Sequence, residues 1–136
     1  MNWTKIGGAT HFLLRVVSGL LFFEFGPLKI LGWFGGMPPG QPLTPLVATA
    51  GWIELIGGVL IFFGLFTRVA AFITSGEMAV AYFMGHFPNG FWPAQNQGVP
   101  AVLFCFIFLF LWGNGPGPWS LDGLIRSNRA REAARK

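Results

Sequence analysis

Three carboxylates fall in stretches otherwise suited to lipid. Of the five acidic residues, Glu24, Glu54 and Glu77 lie inside long apolar runs, the middle one in GWIELIGGVLIFFGLF. An ionised side chain at a bilayer centre is costly, so such a residue pairs, takes up a proton or does chemistry. A cation, Lys29, shares the first run with Glu24. Counted from Arg15 and Arg68 at a helical rise of about 1.5 Å per residue, Glu24 and Glu77 both come out about 13 Å up. Lys29 and Glu54 both come out at about 21 Å. These heights read Lys29 and Glu54 as a structural ion pair, with outward snorkelling of Lys29 as the alternative. They also set Glu24 level with Glu77, and two carboxylates at one depth repel unless they share a proton. Glu77 and Glu24 are therefore the proton-handling candidates, and a structural hydrogen bond to a neighbouring helix is their blander reading.

Other reactive side chains are few. His86 comes out about 27 Å up, at the outer surface just before Pro88, as a surface residue or a ligand. His11 lies on the opposite side, so no metal site is expected. The single cysteine, Cys105, sits in VLFCFIFLFLW with no partner for a disulfide or dithiol, and reads as a small buried apolar residue.

The elements that must position these groups follow from composition. The 136 residues are 53% hydrophobic and only 10% charged, where a soluble domain carries about a quarter charged residues. The expected fold is all-α: one domain of four membrane-spanning helices, at 12–34, 46–66, 69–87 and 99–113, followed by a basic tail at 114–136. The connections GGMPPGQPLTP and HFPNGFWPAQNQGVP hold neither Lys nor Arg. Lys5, Arg15, Arg68 and the tail arginines fall together on the other side, which sets both termini in the cytoplasm. The net charge of +4 is thus a topology signal and not a nucleic-acid footprint, and the tail meets anionic headgroups. Gly57, Gly58, Gly64 and Gly76 are read as close-packing positions between helices.

At this point a family resemblance is legible. The runs RVVSGLLFFEFGPLKILGWFGG, AGWIELIGGVLIFFGLFTRVAAFITSGEMAVAYFMGHFPNGFWPAQNQG and FLFLWGNGPGPWSLD resemble the DoxX family of small bacterial membrane proteins. That resemblance implies a four-helix bundle in the bacterial inner membrane. The family takes its name from a subunit of an archaeal thiosulfate:quinone oxidoreductase, and other members are associated with oxidative-stress defence. The polar positions it carries over are Arg15, Lys29, Glu54, Arg68, Glu77, His86, Asn96 and Asp122. This chain departs from many relatives at Phe25, where they have histidine, and at Val99, where they have an acid.

The expected function is an accessory, quinone-associated redox subunit acting with a partner. Glu54, Glu77, His86, Trp92 and Asn96 are the ligand-binding candidates. The sequence holds no haem, flavin or iron–sulfur signature, so the cofactor expected is at most a quinone, with electrons coming from elsewhere. Two alternatives stand beside this. One is a non-enzymatic assembly protein that docks a membrane or periplasmic partner, or a second copy, through a tip at Gly90, Phe91, Trp92 and Pro93. The other is a small carrier of an apolar molecule or ion.

Overall fold

The computed structural model describes residues 2–135, which form six α-helices and no strand. Helix α1 (Trp3–Ile30) starts where the Asn2 side chain accepts from the Lys5 N–H, and it carries Pro27 inside it. It stops before Gly32, whose φ of 70° is left-handed. The helix therefore begins and ends earlier than the expected 12–34, and Trp33 and Phe34 belong to a separate 3₁₀ turn, Trp33–Gly35. Helix α2 (Pro45–Phe63) is capped by the Thr44 side chain, has proline in its first turn and ends on the left-handed Gly64. Helix α3 (Thr67–Ala81) runs on through a π-helical turn, Tyr82–His86. A single turn, α4 (Pro93–Asn96), precedes α5 (Val99–Asn114). The expected basic tail contains a further helix, α6 (Leu121–Ala133), capped by Ser120.

Helices α1, α2, α3 and α5 pack side by side, α1 along α2, α2 along α3, and α3 along α5. The α1–α2 seam is antiparallel and made by small residues. A Cβ on Gly26 would lie 2.6 Å from the Leu55 nitrogen, and one on Gly58 would lie 2.7 Å from the Phe23 backbone. One on Gly19 would meet the Phe62 nitrogen at 2.6 Å. The two backbones are thus in direct contact, as small-residue seams allow. Phe22 is fully buried at the centre against Phe104 and Phe108 of α5. Gly76 does not join this packing: nothing lies within 4 Å of the Cβ it lacks.

The outer surface is that of a lipid-facing protein. Leu13, Val17, Leu20, Ile56, Phe63, Phe72, Ile73 and Phe106 are all exposed, and soluble proteins rarely show contiguous apolar patches on such a scale. Helices α1 and α2 are long and apolar enough to cross a membrane, yet only 22% and 28% of their most apolar windows are buried. Helix α5 is apolar but shorter.

One end of the bundle is clamped by charges spent on backbone groups. Arg15, 1% exposed, donates from Nη1 to the Ile61 and Phe62 carbonyls that end α2, and from Nη2 to Trp119. Arg68 donates to the Trp112 and Gly113 carbonyls near the end of α5. Asp122 accepts from the Phe66 and Thr67 N–H groups at 2.8 and 2.9 Å and from the Thr67 hydroxyl at 2.8 Å. Orphan groups at helix ends are thereby satisfied by side chains.

The seam gives a direct test. Gly26→Ala should lower unfolding stability in detergent by about 1–3 kcal/mol, because the α2 backbone cannot yield. Gly76→Ala should be neutral or stabilising by up to about 1 kcal/mol. Equal effects of the two in thermal unfolding would contradict this packing.

Candidate functional site

The polar positions sort into three tiers. Arg15, Arg68 and Asp122 belong to the clamp at one end. At the other end, Asn96 is buried, and its Oδ1 accepts from the Gly98 N–H at 2.8 Å. Its Nδ2 donates to the Gly90 carbonyl at 2.7 Å and to the Tyr82 hydroxyl at 3.4 Å. His86 donates from Nδ1 to the Asn96 carbonyl at 3.0 Å, and Tyr82 donates to the Phe91 carbonyl at 2.6 Å. Asn96 and His86 therefore brace the loop between α3 and α5. Trp92 stands apart from them, 63% exposed beside Phe91. Sequence reasoning passed over Tyr82, the chain's single tyrosine, though a lone phenol at a helix end was its visible signal.

Between the tiers lie the residues whose polar atoms are not all committed. Lys29 Nζ is 2.5 Å from Glu54 Oε1. The Lys29 side chain is 22% exposed and that of Glu54 only 1%. Glu54 sits midway along α2, about 14 Å from either end. Two glycines make the contact possible: Gly26 is one turn before Lys29 and Gly51 one turn before Glu54. A Cβ on Gly51 would lie 3.3 Å from the Lys29 Cβ and 2.9 Å from an Ile30 methyl. Room for the lysine stem therefore exists only beside a glycine.

Glu77, half-buried on α3, feels the charges of Glu54 and Lys29 but makes no hydrogen bond or ion pair with either among the described residues. Glu24 is not among its neighbours in charge, and α1 and α3 are not packed partners. The expected Glu24–Glu77 pairing gives way to a cluster of Lys29, Glu54 and Glu77. Helical rise fixes Cα heights only, and long side chains on a helix tend to reach back toward its start. Glu24 itself is half-buried on α1.

Two oxygens in this cluster have no partner. Glu54 Oε2 and Glu77 Oε2 are buried without a hydrogen bond, an arrangement that buried polar groups rarely tolerate. Beside it runs an apolar groove of about 340 Å³ between α2 and α3, lined by Trp52, Ile53, Ile56, Gly57, Ile73 and Thr74 among others. Gly57 and Thr74 each lie one turn from an acid of the cluster, on the same helix face. Among the described residues no group of three or more His, Cys, Asp or Glu side chains is placed to hold a metal ion.

Comparison with known proteins finds a family and several relatives. The family model described as DoxX matches residues 10–87. An uncharacterized protein of Haemophilus influenzae is 40% identical over 80% of this chain and 85% of its own length. Inner membrane protein YqjF of Escherichia coli is 32% identical over 82% of this chain and 88% of its own. A protein of Bacillus subtilis named putative oxidoreductase CatD is 43% identical over 42% of this chain and 45% of its own. No solved structure matches the chain.

The ion pair is open to a mutant cycle. Lys29→Met leaves a buried carboxylate without its cation, and unfolding stability in detergent should fall by about 3–5 kcal/mol. Adding Glu54→Gln should restore most of that loss. A single variant as stable as the parent would show that the two charges do not depend on each other.

Proposed function

The chain belongs to the DoxX family of membrane proteins, and from that premise we propose that it is a proton-handling subunit of a quinone-linked oxidoreductase, acting with a partner that supplies electrons. In this reading α1, α2, α3 with its π turn, and α5 all cross the bacterial inner membrane. Both termini lie in the cytoplasm, because Lys5, Arg68 and the arginines of α6 gather at one end.

The observation that carries the proposal is the pair of unpartnered oxygens at Glu54 and Glu77. Two carboxylates against one ammonium leave the cluster one negative charge in excess. A net charge in a low-dielectric interior is costly, and one bound proton removes it. Glu54 and Glu77 then share that proton while Lys29 holds Glu54 in place. The shared proton also explains two acids in one apolar bundle, since like charges so placed cannot both ionise.

A quinone fits the residues present. Its ring suits the apolar groove at Trp52, Ile56 and Ile73; Glu54 and Glu77 are not among the residues that line it but stand one turn from Gly57 and Thr74, which are. When bound, the quinone supplies the acceptor for two electrons and two protons. The chain's residues orient it, keep bulk water away and hold a proton beside it. The relative named putative oxidoreductase CatD is in keeping with this reading.

A second reading is favoured by one feature. Phe91 and Trp92 are exposed on a loop that Tyr82, His86 and Asn96 brace from within, a preorganised apolar tip suited to docking another protein. Isolation from native membranes with a stoichiometric companion and no quinone would favour it.

The redox reading is tested by heating the purified protein with a short-chain quinone. Quinone at a hundredfold excess over its dissociation constant should stabilise the parent by about 2.7 kcal/mol. Ile73→Trp, which fills the groove at its exposed rim, should abolish the shift. A parent indifferent to quinone would contradict the proposal.

A further inference from the structure

Helix α6 raises a question that the cluster does not answer. It is 13 residues long and none of its residues is buried, whereas isolated helices shorter than about 12–15 residues are marginal in water. Its ends are well made: Ser120 Oγ accepts from the Gly123 N–H, Asp122 lies in the first turn and Arg131 in the last. Its sides have no cover from the bundle. Leu121, Leu124 and Ile125 are exposed on one face, and Arg129 and Arg131 flank that face on either side at helical spacing. From Gly123 to Arg135 there are four arginines, Arg126, Arg129, Arg131 and Arg135, against the single Glu132.

The same end presents two aromatic rings from strained backbone. Phe66 and Trp119 have φ of 48° and 51°, a left-handed conformation that bulky residues adopt only under constraint. Both are pinned, Phe66 by Asp122 and Trp119 by Arg15, and both rings are exposed, at 66% and 71%. Asp122 also ties α6 to the bundle, its N–H donating to the Gly64 carbonyl at 2.9 Å. The clamp thus holds an apolar helix face, two aromatic rings and a row of arginines at one rim of a lipid-facing bundle.

We propose that α6 is an interfacial helix that binds anionic phospholipid. Phe66, Trp119, Leu124 and Ile125 enter the boundary between headgroups and acyl chains, where aromatic and aliphatic side chains of surface helices lie. Arg129 and Arg131, which flank the apolar face, take the headgroup phosphates with their stems lying along it. Charge decides the occupant: zwitterionic lipid would satisfy the apolar side chains but leave the arginines without anions. The inference rests on the membrane reading above and not on its redox chemistry.

The test uses the full chain in nanodiscs, in a Cys105→Ala background with a spin label at Asn128→Cys, and reads depth from access to a water-soluble relaxation agent. A nanodisc offers the same lipid at both faces, so the outcome is independent of which end is cytoplasmic and of any quinone. In phosphatidylglycerol the label should be shielded, and in phosphatidylcholine it should be open to water. Arg129→Gln with Arg131→Gln should raise the phosphatidylglycerol fraction needed for half shielding by roughly fivefold per arginine. Salt at about 1 M should reverse the shielding, since the screening length falls to about 3 Å. A second label at Trp92→Cys, unchanged throughout, shows that the bundle is intact. Equal access in the two lipids would overturn the proposal. So would shielding that survives loss of both arginines, or shielding found only in native membranes, which would indicate a protein partner.

Discussion

Glu54 is buried because Lys29 reaches it, and Lys29 reaches it because α1 and α2 touch along their backbones. Gly26 and Gly51 stand one turn from the two charges and remove the side chains that would hold the helices apart. Gly19 and Gly58 continue the seam toward the other end, and Phe22 closes the centre against α5. The ion pair and the glycine seam are therefore one construction. A charge in an apolar bundle demands a partner, and the close approach supplies it.

The remaining charges divide by what they are spent on. Arg15, Arg68 and Asp122 hydrogen-bond backbone groups at helix ends. His86, Asn96 and Tyr82 are committed to the loop at the opposite end. Uncommitted acceptor capacity is concentrated on the Glu54 and Glu77 oxygens. The clamp also leaves one buried donor unpartnered, Arg15 Nε, so it is the free acceptor oxygens that set the cluster apart. Functional sites are where a structure leaves such groups open.

Some of this was legible in the chain and some was not. Opposite charges at equal height on consecutive helices related Lys29 to Glu54, and the two are in contact. Rise along a helix says nothing of lateral order, so equal height relates Glu77 to Glu24 although the charges that act on Glu77 are those of Glu54 and Lys29. Glycine composition marked Gly57 and Gly58 as packing residues but could not tell them from Gly76, which points outward. Only rotation about the helix axis separates those cases. The bracing of the loop by His86 and Asn96 is not legible in the sequence, because their backbone partners come from a loop whose path is not written in local pattern. Helix α6 was hidden because its apolar face is only three residues, Leu121, Leu124 and Ile125, too short a period to mark a helix in an otherwise polar segment.

The account stands on one shared proton between Glu54 and Glu77. Infrared difference spectroscopy of the protein in lipid reads it directly as the carbonyl stretch of a protonated carboxyl group. At neutral pH the parent should show that band, Glu24→Gln should keep it, and either Glu54→Gln or Glu77→Gln should remove it. A parent in which both acids are ionised at neutral pH, with no such band, would contradict the account.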